Sequence, residues 1–111
     1  MITRLVKLSL QAEKADEFEE LFNQSQALIQ DFEGCYSTKL FKVSGSPSQY
    51  FTISYWNSEQ DLENYRKSDL FRNVWSLVKP LFSAKAEAWS LQGTSYLSGL
   101  TPAPFPAEEY T

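Results

Sequence analysis

An α+β fold, with elements in the order β-α-β-β-α-β, is what this chain of 111 residues predicts. Three observations carry that expectation. Apolar residues alternate with period two near the N-terminus, then switch to a helical period. Period two returns in two runs joined by a turn that contains Pro and Gly. Finally, Tyr50 to Phe82 links an aromatic strand to two capped helical segments. One domain holds all of this, since most domains contain roughly 100–150 residues. The order is that of a ferredoxin-like sandwich, in which helices cover one face of an antiparallel sheet.

The first strand runs from Ile2 to Leu10. Ile2, Arg4, Val6, Leu8 and Leu10 share one face, and Thr3, Leu5, Lys7 and Ser9 share the other. From Ala12 to Phe32, the residues Ala15, Phe18, Phe22, Ser25, Ile29 and Phe32 recur at helical spacing, with acidic residues in the first turns. Gly34 is expected to close that helix as its C-terminal cap. Strands over Cys35–Val43 and Tyr50–Trp56 flank Ser44-Gly45-Ser46-Pro47-Ser48 and form a hairpin. Asn57 or Ser58 caps a short helix in which Leu62 and Tyr65 face the core. Ser68-Asp69 reads as a second cap, so the helix breaks near Lys67. Leu70, Phe71, Val74, Trp75 and Val78 form the next stripe, and Pro80 marks the approach of its end.

Ala84 to Leu91 supplies the fourth strand, weak in β propensity and placed partly because the fold needs it. The domain is expected over residues 1–92, with a Pro-containing tail over 93–111. Through Tyr96, Leu97, Leu100 and Phe105 that tail would either pack on a partner subunit or stay disordered.

Composition narrows the function. The net charge is −4, and no run of Lys and Arg marks a groove for phosphates, so nucleic acid is not an expected partner. No window reaches the ~18 apolar residues of a membrane span. The N-terminal MITRLVKLSLQAEK is too short and too alternating for a secretory signal. A single cysteine, Cys35, cannot form an internal disulfide, which suits a reducing cytoplasm. The chain has no His, and that removes His-based triads, imidazole bases, His-type zinc sites and proximal-His haem ligation. No other metal cluster or phosphate loop is present, so no cofactor and no metal are expected. Eight Phe, six Tyr and three Trp are many for this length, enough to line a cavity as well as fill a core.

Certain runs resemble a known family. Phe32-Glu33-Gly34-Cys35, Tyr55-Trp56-Asn57-Ser58-Glu59-Gln60-Asp61-Leu62, Tyr65, Ser68-Asp69-Leu70-Phe71 and Lys79-Pro80-Leu81-Phe82 resemble antibiotic biosynthesis monooxygenase domains. The resemblance covers about Ile2 to Leu91. It implies a dimeric α+β barrel, with two sheets packed face to face in a homodimer. The apolar character of both sheet faces points the same way. In the family's haem-degrading branch a His follows the Ser-Asp-x-Phe motif by four residues, where this chain has Trp75. That branch also has Trp at Tyr65 and Asn near Val6. Haem degradation of that type is therefore not expected.

What the resemblance leaves open is cofactor-independent oxygenation of a small aromatic or quinol-type substrate. A substrate anion would itself reduce O₂, while the protein positions the ring, stabilises the anion and excludes water. The candidate catalytic residues are Tyr65 and Arg66. Tyr55, Trp56, Phe71 and Trp75 are the candidates for binding the ring. The same residues suit plain structural roles: Trp75 lies on an apolar stripe, Trp56 ends a strand, and Arg66 ends a short helix. The alternative is a non-catalytic small-molecule-binding or stress-related dimer that kept the fold. A closed, partly polar cavity between sheet and helices, lined by Tyr65, Arg66 and Trp75, favours the enzyme; rings that fill the space favour the alternative.

Overall fold

The computed structural model describes residues 1–94. Its elements are β1 (Ile2–Ser9), α1 (Ala15–Gln30), β2 (Cys35–Lys42), β3 (Gln49–Trp56), α2 (Glu59–Arg66), α3 (Asp69–Val78) and β4 (Glu87–Leu91). Short 3₁₀ turns precede α1 and follow α3. All strand pairs are antiparallel, and the strand order is β2-β3-β1-β4. The fold is α+β and ferredoxin-like, as the pattern predicts. The proposed tail role for Tyr96, Leu97, Leu100 and Phe105 lies outside the described residues.

Alternation decides which side chains face the helices. Leu8, Leu10 and Tyr50 from the inner sheet face join Phe18 of α1 and Val78 of α3 in one buried cluster. A second cluster gathers Ile2, Trp56 and Leu62 at the other end, with Phe32, Cys35 and Tyr65 packed against it. Phe18, Trp56, Tyr50 and Leu10 are the largest fully buried side chains. The buried Tyr50 hydroxyl donates to Glu19, so even this ring keeps its polar end satisfied.

Several boundaries move. The first helix opens as a 3₁₀ turn at Ala12–Lys14, and its α portion ends at Gln30 rather than Phe32. Gly34 is not its cap; Asp31 is, and Gly34 instead turns the chain into β2 at φ +86°. A side chain there would be strained by its conformation and would also collide with Asp61, whose Cγ lies 2.3 Å from where a Cβ would sit. The α1–β2 turn thus rests directly on the first turn of α2, and Asn57 N–H donates to the Gly34 carbonyl at 2.8 Å.

The fourth strand is shorter than expected and begins at Glu87 rather than Ala84. Phe82 already bridges Leu10, and Ser83 N–H donates to the Ser9 carbonyl. The ladder resumes only at Lys7–Glu87, so the intervening residues leave it. All five residues of β4 are exposed, on the inner face as well as the outer. That edge leaves the space between sheet and helices open on one side, where the enzyme reading expects a closed cavity.

Candidate functional site

The helix break shapes the site. Ser58 caps α2, its Oγ accepting from the Asp61 N–H at 3.1 Å and donating to the Asp61 carboxylate at 3.0 Å. Ser68 does two jobs. Its Oγ accepts from the Phe71 N–H at 3.1 Å to start α3 and donates to the Tyr65 carbonyl at 2.6 Å to finish α2. The turn sets Tyr65 and Phe71 edge to face, 5.3 Å between ring centroids.

From there an aromatic wall extends both ways. Tyr65 stacks on Trp56 at 4.9 Å, and Phe71 stacks on Trp75 at 5.8 Å with the planes 9° apart. Beyond Trp75, Phe82 meets it edge-on at 5.4 Å. These rings do not fill the interior. A cavity of about 290 Å³ lies between the inner sheet face and the helices, walled mainly by apolar side chains. Trp56, Tyr65, Arg66, Phe71 and Trp75 all border it.

Tyr55 is not brought there. Period two turns it to the outer sheet face, opposite Thr3 and Ser37, where it is exposed. The neighbouring Trp56 points inward, and its Nε1–H donates to Ser54 Oγ at 2.9 Å. That indole is therefore a wall with its one donor already committed. Arg66 stands at the cavity's margin, exposed, with Glu63 Oε2 3.4 Å from its Nη1.

Electrostatics assign different tasks to the polar groups. Burial, helped by the nearby Cys35, pushes the Tyr65 hydroxyl up to about 12. At neutral pH Tyr65 is therefore a hydrogen-bond donor and not a base. Burial also raises the Cys35 thiol, against a weaker opposing effect of its hydrogen bond to the Ser37 carbonyl. That keeps the sulfur a poor nucleophile.

Sequence reasoning missed Arg4 as a site residue. It lies on the inner face of β1, borders the cavity and donates from Nη1 to Ser90 Oγ at 2.9 Å. A signal existed, because Arg4 is the one charge on a strand face otherwise made of Ile2, Val6, Leu8 and Leu10. Thr38, Thr52 and Ser54 also line the cavity and were equally unmarked. Among the described residues no cluster of His, Cys, Asp and Glu is placed to hold a metal ion. None of the described helices is long and apolar enough to cross a membrane.

A family model described as "Antibiotic biosynthesis monooxygenase" matches residues 1–75. The chain belongs to that family. The matched span reaches Trp75 and so includes most of the aromatic wall. Family membership also explains its motif physically. Gly34, Ser58 and Asp61 clip the α1–β2 turn to the start of α2, and Ser68-Asp69 breaks the helix beside the cavity.

Solved structures agree on the fold. A variant of SnoaB, a cofactor-independent oxygenase from Streptomyces nogalater, is 15% identical over 87% of this chain and 96% of its own, with a TM-score of 0.77. A conserved protein from Methanosarcina mazei Go1 is 22% identical over 83% and 92%, with a TM-score of 0.77. An antibiotic biosynthesis monooxygenase crystal structure is 14% identical over 86% and 100%, with a TM-score of 0.80. Among curated proteins, no sequence matches. The family's fold is thus shared at low identity, and the cavity's chemistry rests on this chain's own residues.

Proposed function

We propose that this cavity is the active site of a cofactor-independent monooxygenase acting on a small aromatic or quinol-type substrate. The observation that carries the reading is an unfilled space of about 290 Å³, open on the β4 side and walled on the helix side by the Trp56–Tyr65 and Phe71–Trp75 stacks. It lies at the small end of the range for ligand pockets, from about 300 Å³ upward, and its flat walls suit a planar ring. Family membership and the oxygenase named among its structural relatives support the same chemistry.

The reaction needs few protein groups. A phenol or enol that has lost its proton transfers one electron to O₂, and the radical pair combines to a carbon-bound peroxide anion. Where that carbon still bears a hydrogen, its loss with cleavage of the O–O bond forms a ketone and hydroxide. The hydroxide takes up the first proton, so one O₂ yields one ketone oxygen and one water. Tyr65 donates a hydrogen bond to the ring oxygen, Arg66 adds positive charge at the margin, and Trp56, Phe71 and Trp75 hold the ring.

The active unit in this proposal is a homodimer joined through the outer sheet faces. The single Cys35 suits a reducing cytoplasm for it. One observation favours the non-catalytic alternative: the chain has no His, and among the described residues no carboxylate lines the cavity to serve as a base. Oxygen uptake on a panel of quinols and anthrone-like phenols separates the two. Wild type is expected to exceed the blank with at least one substrate, and Tyr65→Phe is expected to lower kcat by about a hundredfold. No uptake with any substrate would leave the binding role alone.

A further inference from the structure

The sheet register assembles a feature that no motif announces. Thr38, Ser54, Arg4 and Ser90 are successive cross-strand partners on β2, β3, β1 and β4. Their side chains form one polar row across the inner face, with the cavity above it. Thr38 and Ser54 are buried, and both line the cavity together with Arg4. Ser90 lies where the cavity meets a shallow depression shared with Arg66 and Glu63.

Charge in this place is one-sided. Among the described residues, Arg4 and Arg66 are the only charged ones in the cavity lining. Glu63 pairs with Arg66 and also lies 3.6 Å from Lys67 Nζ, whereas Arg4 joins no ion pair among the described residues. Burial first and the like charge of Arg66 second disfavour the Arg4 cation, and Glu63 offsets this only in part. Arginine nonetheless stays charged at neutral pH. A negative oxygen docked on it would relieve both penalties. Tyr65, the one other titratable group lining the cavity among the described residues, is held protonated and accepts no proton.

From this we infer that the cavity takes its ligand as an anion: a planar phenol or enol, already ionised, whose charged oxygen meets Arg4 and whose ring lies among the aromatic walls. The proton goes to solvent rather than to a protein base, which accounts for a lining without one. The inference rests on the reading of the cavity as the substrate site. Arg4 is a binding residue in it, and Arg66 a weaker contributor because Glu63 matches its charge.

The test uses 4-nitro-1-naphthol, whose anion is coloured, and its methyl ether, which cannot ionise. Both are bound to the full chain and followed by quenching of tryptophan fluorescence. The ionisation of the bound naphthol is then titrated by absorbance. An apolar cavity alone would raise its pKa, because burial penalises the charged form. The expected result is a fall of about one unit, which makes the anion about tenfold tighter than the neutral form. Arg4→Met is expected to cancel the fall and leave binding of the ether unchanged. Arg66→Met is expected to retain at least half of it. A bound pKa that is unchanged or raised, or a fall that survives Arg4→Met, overturns the inference while binding of the ether keeps the cavity reading intact. If neither compound binds, the cavity reading fails and the inference with it. The wild-type titration decides the sign of the shift without depending on any variant's folding.

Discussion

Tyr65 is half-buried, bordering the cavity on one side and stacked on Trp56 on the other. That position makes its ionisation costly, and the cost has a measurable consequence. An unfolded tyrosine loses its proton near pH 10, whereas Tyr65 in the folded chain holds it to about 12. Between those values the unfolded state binds fewer protons than the native one, so stability falls as pH rises. Tyr50 is shifted in the same direction, by burial first and then by Glu19, and adds to the fall. Urea unfolding followed from pH 9 to 12 should therefore show a decline in wild type. In Tyr65→Phe the decline should be smaller by up to about 2 kcal/mol at the alkaline end. An identical pH profile in the two proteins would count against the buried position of the hydroxyl.

The break between α2 and α3 carries the site at the scale of elements. Glu59–Arg66 spans eight residues and Asp69–Val78 ten, both short for independent stability. Each therefore depends on its cap and on the face it packs. Ser68 holds both helices at once, so Ser68→Ala should cost about 1 kcal/mol and lower the urea midpoint without changing the slope. The polar atoms it frees lie beside Tyr65 and Phe71, so ligand binding should weaken as well. A variant with wild-type stability would show that packing of the aromatic wall, not the cap, holds this turn.

At the scale of the molecule, the outer sheet face is the unfinished surface. Phe41, Tyr55, Trp89 and Leu91 are exposed there at 39–48%. Cross-strand register places Leu5, Phe51 and Ile53 among them. An apolar face of this extent in water is costly, and a second copy of the same face would cover it. Sedimentation at micromolar concentration should give about twice 12.8 kDa, and Trp89→Arg should reduce it toward the monomer. A wild-type species of 12.8 kDa would exclude the homodimer.

Element order, the hairpin, the Ser68 cap, a first cap at Asn57 or Ser58, and the stripes of Leu62 and Tyr65 and of Leu70, Phe71, Val74, Trp75 and Val78 were legible from the sequence by itself. The reason is that periodicity and capping depend on residues a few positions apart. The family likeness was legible for the same reason, since its motifs lie in those local turns. Other features depended on distant residues. Tyr55 and Trp56 look equivalent as aromatic neighbours, yet alternation sends only Trp56 to the cavity. Gly34 reads as a helix cap, yet its role comes from Asp61, which lies against it across the fold. Arg4 reads as a stray charge until β1 is set between β3 and β4. Only then do Thr38, Ser54 and Ser90 fall into its row, because strand register, unlike helical period, is fixed by contacts between segments far apart in the chain.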